Sequence, residues 1–155
     1  MIIDDTTLLF FDASCLIAAS GSSTGGSGFL LSLCARSLLR GAVSQAVLLE
    51  AERNIRSKLN LQALNAYHDL LQVVPFNLAP VPRIPAEAAW LPIVNAKDAH
   101  VVASALVVAA PYVLTLDREL VEQINRAQLP LQALNPGDFI RTVFRHHVKY
   151  PSLRS

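Results

Sequence analysis

The chain has 155 residues, 52% of them apolar, which is enough for one sizeable core and too few for two, so a single domain is expected. Its formal charge of +1 excludes a global basic field that would draw in a polyanion, and any contact with nucleic acid has to be local. Cys15 and Cys34 lie in apolar sequence and suit reduced, buried thiols of a cytoplasmic protein; they form no disulfide scaffold, and no His-Cys spacing suggests zinc.

Asp4 and Asp5 precede the first apolar run, which is not the basic start of a signal peptide, so secretion is not expected. Residues 7–12 (TLLFFD) form a short, continuous apolar run ending in an acid, the pattern of a central strand covered on both faces. Residues 20–28 (SGSSTGGSG) have the composition of a flexible loop; it lacks the Lys of a P-loop and begins well beyond the strand, so it is not read as a phosphate cradle. A helical pattern follows over 29–39, with Gly41 ending it. Residues 42–44 fit a very short strand. Residues 45–59 fit a helix whose buried face is marked by Val47, Ala51, Ile55 and Leu59 at every fourth position.

A further helix spans 61–74. Pro75, Pro80, Pro82, Pro85 and Pro92 then leave 76–95 mostly extended, with room for a short helix over 86–91. The longest apolar stretch, 101–116, is broken by Pro111 and falls short of the ~20 residues that cross a bilayer, so it reads as a buried helix and a buried strand, with no membrane association. The pattern from there is helix 98–109, strand 112–115, helix 117–127, strand 131–134 and helix 136–144. Such alternation implies an α/β fold, a parallel sheet with helices on both faces. The domain covers 1–145 and a basic C-terminal tail 146–155. Arg141, Arg145, His146, His147, Lys149 and Arg154 cluster near that end, either as phosphate contacts or as a solvated tail.

In an open parallel sheet, ligands bind beyond the carboxyl ends of the strands. Asp12 ends the first strand, and Asp117 follows strand 112–115 and opens the next helix. Asp98 starts a helix after an extended segment and is expected at the same edge. Glu50 sits inside a helix on the side of Val47 and Asn54, bordering the buried stripe, whereas Glu52 can pair with Arg56 in water. Taken singly, each acid has a structural reading. Asp98 and Asp117 fit helix N-caps worth about 1 kcal/mol each; Asp12 fits a turn cap, and Glu50 a partly exposed helix residue. Taken together, four carboxylates in one cleft repel each other unless a divalent cation removes the penalty. Oxygen ligands without Cys or His favour hard ions such as Mg²⁺ or Mn²⁺, whose chemistry with phosphate is phosphodiester hydrolysis. His100 lies two residues beyond Asp98 and points away from it on a helix, so it reads as a packed or solvated side chain. His68, His146 and His147 have no evident acid partner.

Four segments carry a resemblance to a known family: LLFFDAS with Asp12 and Ser14, SQAVLLEAERNI with Ser44 and Glu50, KDAHVVASALVVAAPYVLTLDREL with Asp98, Thr115 and Asp117, and LPLQALNPGDFI. Over about residues 8–140 the chain resembles the PIN domain family, which includes the VapC-type toxin ribonucleases of prokaryotic toxin-antitoxin pairs. The resemblance implies a three-layer α/β/α sandwich with a central parallel sheet, dependence on Mg²⁺ or Mn²⁺, and endoribonuclease activity on an RNA substrate, single-stranded or structured. It also implies an antitoxin partner and a homodimer. On that pattern Asp12, Asp98 and Asp117 ligate metal, and Glu50 ligates metal or orients the attacking water. Ser14 and Thr115 hold the carboxylates or a metal-bound water. Asp138, in the closing segment, reads as a helix-start residue. A haloacid-dehalogenase-like phosphatase would need a second Asp where Ser14 stands, and a receiver domain would need its paired acids after the first strand, whereas Asp4 and Asp5 precede it. The alternative is a non-catalytic PIN-like module that binds RNA or a protein with its acidic pocket unused.

Overall fold

Leu9, Phe10 and Phe11 have no solvent exposure, so strand β1 (Leu8–Phe11) must be covered on both faces and flanked on both edges. A computed structural model, describing residues 2–153, shows how this is done. Helices α1 (Ala13–Gly21) and α2 (Gly26–Ala35) follow β1; β2 (Arg40–Ser44) leads directly into α3 (Gln45–Lys58), then α4 (Leu61–Val73), β3 (Asn77–Ala79) and α5 (Ile84–Ala88). A 3₁₀ turn (Ala96–Asp98) opens α6 (Ala99–Val107). Strand β4 (Tyr112–Leu114), α7 (Arg118–Arg126), β5 (Gln132–Leu134) and α8 (Pro136–Thr142) come next, and a second 3₁₀ turn (Phe144–His146) precedes α9 (Tyr150–Leu153).

All strands are parallel and lie in the order β3-β2-β1-β4-β5. Helices cover the sheet, as the alternation of patterns requires. The chain moves outward from β1 to β2 and β3, then returns to the other side of β1 for β4 and β5. The sheet therefore has a switch point between β1 and β4, the place where loops diverge and leave a crevice. No helix among the described residues is long and apolar enough to cross a membrane.

Local chemistry accounts for the elements. Gly41 in β2 lets the rings of Phe76 and Phe11 close in, since a Cβ there would meet them at 3.1 and 3.2 Å. Ser44 ends β2 and caps α3, its hydroxyl accepting from Val47 N at 3.2 Å, so strand and helix share one residue as their joint. Val47, Ala51 and Ile55 form the buried stripe of α3 as expected. Leu59 does not belong to it: it is 41% exposed and stands past the helix end. Tyr67 of α4 is buried, and its hydroxyl donates to Leu48 O at 3.0 Å, tying α4 to α3. Asn125 of α7 donates to Ala133 O and accepts from Ala133 N, fixing α7 to β5.

Several sequence expectations need correction. Residues 13–21 are helical although no periodicity marks them, because α1 is apolar nearly all round and lies between α2, α3 and α4. The Gly/Ser segment is mostly helix; its loop shrinks to residues 22–25. The extended middle contains the edge strand β3, and its short helix begins at Ile84, not at residue 86. His68 does have an acid partner, Glu52, whose Oε1 lies 3.3 Å from His68 Nε2 and which also meets Arg56 at 3.4 Å.

The C-terminal segment is anchored to the domain. His147 is 2% exposed; Lys149 N donates to its Nδ1 at 3.0 Å, so Nε2 carries the proton and donates to Leu38 O at 2.6 Å. Val148 N donates to Ile3 O at 2.9 Å beside the Ile3–His147 bridge. Phe144 packs edge-on against Phe29 and Tyr150. Arg145, His146 and Lys149 are exposed, Arg141 pairs with Asp138, and Arg154 lies outside the described residues.

Gly28 is the tightest glycine: a Cβ there would sit 2.4 Å from Ser23 O, a backbone atom that cannot swing away. Gly28→Ala is expected to cost about 1–3 kcal/mol in urea unfolding. Gly21→Ala is the contrasting case, since the nearest atom is Leu59 Cδ1 at 3.9 Å; with space available at a helix end, it should be neutral or stabilising by about 0.4–1 kcal/mol.

Candidate active site

The residue after β1 and those after β4 meet at the switch point. Asp12 N donates to Leu114 O at 2.9 Å, continuing the ladder one step beyond β1 and fixing the Asp12 backbone, and Thr115 N donates to Leu134 O at 3.1 Å on the other side. The side chains then bond across the gap. Thr115 Oγ1 donates to Asp12 Oδ2 at 2.7 Å, and Ser14 Oγ lies 3.2 Å from the same oxygen and 3.3 Å from Thr115 Oγ1. Each hydroxyl accepts a backbone N–H in turn: Leu116 N donates to Ser14 Oγ at 3.0 Å and Asp117 N to Thr115 Oγ1 at 3.1 Å. Two amide dipoles are thus relayed through two hydroxyls onto one carboxylate oxygen, which fixes the orientation of the Asp12 side chain at 7% exposure.

The capping readings separate cleanly. Asp117 Oδ1 accepts from Glu119 N at 3.0 Å and Leu120 N at 3.3 Å, so Asp117 caps α7. Asp12 and Asp98 occupy the same position before α1 and α6, yet neither makes a side-chain cap bond. Their carboxylates are left for other purposes.

Asp98 is held by its backbone, Asp98 N donating to Asn95 O at 2.8 Å, and is 8% exposed. Its Oδ2 is buried without a hydrogen-bond partner. Burial pushes its carboxyl up to about 6, and the Asp12 charge adds to this; Lys97 opposes the rise, while Asp117 and Glu50 reinforce it. All three other acids singled out from the sequence therefore act on Asp98 through space. Glu50 is half-buried on α3, where Asn54 Nδ2 donates to its carbonyl oxygen at 2.8 Å. The side chains do not make a closed ligand shell: among the described residues, no three His, Cys, Asp or Glu groups are placed to hold one metal ion. Asp138 stands in the first turn of α8, bonded by Asn135 and Arg141. His100 is half-buried with its Nδ1 unpartnered. Cys15 and Cys34 are free and buried, and burial raises both thiols, Cys34 up to about 12, which removes them as nucleophiles.

Sequence reasoning missed a cleft of about 600 Å³ that opens beside Thr115, between α7 and α8 at the carboxyl ends of β4 and β5. Its one sequence signal is that Leu116 and Arg118, which line it, flank Asp117.

Asp98 ties stability to pH. Its folded-state pKa lies above the ordinary 3.8, so its contribution is fully present below pH 3.8 and lost as pH rises through about 6. In a chelating buffer at pH 8, Asp98→Asn should raise stability by about 1–3 kcal/mol, and the gain should vanish at pH 4. Equal gains at both pH values would contradict the assignment. For Asp117, denaturation should show a loss of about 1 kcal/mol for Asp117→Ala and little for Asp117→Asn, which keeps the cap.

No family model matches the sequence, and no curated protein matches it either. Solved structures do. The VapBC2 structure from Rickettsia felis, bound to a DNA fragment from its promoter, contains a chain that superposes with a TM-score of 0.63 at 15% identity, covering 83% of this chain and 98% of that one. VapBC-1 from nontypeable Haemophilus influenzae gives 0.56 at 16%, covering 84% and 98%. VapC20 from Mycobacterium tuberculosis, described as a sarcin-ricin loop cleaving toxin, gives 0.52 at 18%, covering 80% and 98%. With five parallel strands, a switch point at β1–β4 and this likeness over four-fifths of its length, the chain shares the PIN-type fold of these structures.

Proposed function

We propose that the chain is a metal-dependent endoribonuclease whose working groups are Asp12, Glu50, Asp98 and Asp117, acting as the toxin of a toxin-antitoxin pair. The observation that carries this reading is the Asp98 carboxyl, nearly buried, with an unpartnered oxygen and a proton affinity raised first by that burial and then by three other carboxylates. A domain whose acids serve stability alone has no reason to keep such a group at the mouth of its crevice, because the charge costs folding energy at neutral pH.

The donor set fits Mg²⁺ or Mn²⁺: hard carboxylate oxygens with no thiolate, and one buried oxygen with its lone pairs free. Asp12, Asp98 and Asp117 would hold the ion by closing in on it, since no three acids among the described residues are already placed around one, with Glu50 ligating it or orienting the attacking water. When bound, the ion polarises a phosphoryl oxygen and makes water a nucleophile at neutral pH. The protein's own part is positional. Ser14 and Thr115 fix the rotamer of Asp12 through Oδ2, the α7 cap fixes Asp117, and the joint at Ser44 sets the phase of α3 and hence the side from which Glu50 approaches. Asp98 would offer the ion its unpartnered buried oxygen, and a bound cation would offset the cost of its buried charge.

The VapBC assemblies among the structural neighbours support an antitoxin protein as partner, and a homodimer is the further expectation for the working form. The purified chain should cut RNA with Mg²⁺ or Mn²⁺ and stop on chelation. Asp12→Asn and Asp98→Asn should each lose more than about 100-fold, and Thr115→Val about 10–100-fold through loss of support to Asp12. Expression should arrest growth, and Asp12→Asn should relieve the arrest. Wild type as inert as both Asn variants, on varied RNAs and with either metal, would refute the enzyme reading.

A further inference from the structure

The cleft beside Thr115 is not explained by the four acids. Thr115 lines it and also donates to Asp12, and Leu116 and Arg118 line it from either side of Asp117, so the cleft adjoins two of the proposed working groups. Its volume of about 600 Å³ falls within the roughly 300–1,000 Å³ typical of small-ligand sites. Its lining is mixed: polar side chains surround a small apolar patch of Val121 and Leu134, both half-buried, and Leu116, which is 48% exposed.

The polar groups around this patch are unequally available. Asn125 is committed at both ends to Ala133, Asn135 is committed to Asp138, and Arg141 is neutralised by Asp138. Arg118 is exposed and makes no ion pair among the described residues. Glu122, one turn along α7 on the same side, is also exposed and makes none. A small apolar patch, one uncommitted guanidinium and one uncommitted carboxylate match a single nucleotide: the base covers the patch of Leu116, Val121 and Leu134, a phosphate meets Arg118, and an exocyclic amine or ring N–H meets Glu122.

Resting on the ribonuclease reading, we propose that this cleft seats one unpaired nucleotide adjoining the scissile phosphate, with Arg118 as its phosphate contact and Glu122 as the residue that reads its base. The requirement for an unpaired nucleotide follows from shape, because a base stacked and paired in an A-form helix cannot enter a cleft between two helices. Arg118 also answers an electrostatic need. A polyanion approaching four carboxylates requires a fixed cation on the approach, and Arg118 is the uncommitted one in the cleft.

The test is steady-state cleavage of a randomised single-stranded RNA pool and of one chosen sequence, single-stranded and annealed to its complement. The proteins are wild type, Arg118→Ala, Glu122→Gln, Leu116→Ala and, as a control at the far end of α7, Arg126→Ala. Arg118→Ala should raise KM roughly tenfold, more than it lowers kcat, and flatten the dependence of log KM on log salt by about 0.7. Glu122→Gln should change the base preferred at one position beside the cut, and Leu116→Ala should weaken binding without changing that preference. Arg126→Ala should match wild type, and the annealed RNA should be cut far more slowly than the single strand. Thermal melts exclude misfolding of the variants. If wild type cuts RNA while Arg118→Ala keeps its KM and salt slope and Glu122→Gln keeps the base preference, the cleft is not the seat and the nuclease reading survives. If wild type neither cuts nor binds RNA, the nuclease reading fails and this inference fails with it.

Discussion

The bond from Thr115 to Asp12 joins residues 103 positions apart across the junction of β1 and β4, at 2.7 Å. It exists because two parallel neighbours with the register Phe11↔Leu114 must deliver their next residues to the same height above the sheet. Everything in the crevice is measured from it: Ser14 bonds into it from α1, the amides of Leu116 and Asp117 feed it from the turn before α7, and Asp98 senses its charge from the start of α6. The β1–β4 pairing is thus both the middle of the core and the frame of the site. Its core side is made of fully buried side chains, Phe10, Phe11, Val113 and Leu114, which leave the hydroxyl pair little room to drift.

The carboxylates are not equivalent within that frame. Asp12 is supplied with hydroxyl donors and Asp117 is engaged with helix amides, so both have hydrogen-bond partners. Asp98 is deprived of donors and surrounded by like charge. This inequality places, within one crevice, carboxylates held by donors beside one whose pKa burial and neighbouring charge raise. The cost is local instability at neutral pH, which a core built on β1 and β4 can absorb.

Much of the fold was legible in the sequence because its strongest signals are continuous or strictly periodic. The run before Asp12 could only be a strand covered on both faces, and the stripe Val47, Ala51, Ile55 could only be one helix face. The missed elements share a physical reason: tertiary packing supplied what local pattern lacked. Residues 13–21 carry no amphipathic period because three helices surround them. Glycines in the Gly/Ser segment serve close approach, Gly26 lying where a Cβ would meet Pro136 at 3.3 Å, so composition suggested a loop where packing made a helix. At the site, strand ends located Asp12 and Asp117, but the hydroxyl relay was foreseen only through resemblance, since no periodicity foretells that Ser14 and Thr115 converge on one oxygen. The cleft was not legible at all, because it is a space between helices whose separation no residue encodes alone. Nor did charge counting distinguish buried His147 from its exposed neighbours.

His147 gives the molecule a property that its elements do not have singly. Both ring nitrogens are engaged, and the strand bridge beside it reaches Ile3, so the two ends of the described chain are closed on one another. A polymer with free ends frays independently from each; one fastened in this way is topologically a ring closed by a non-covalent catch. Opening at either end breaks the same contacts, so local unfolding there is a single shared event, and the catch removes loop entropy from partly unfolded states much as a cross-link would.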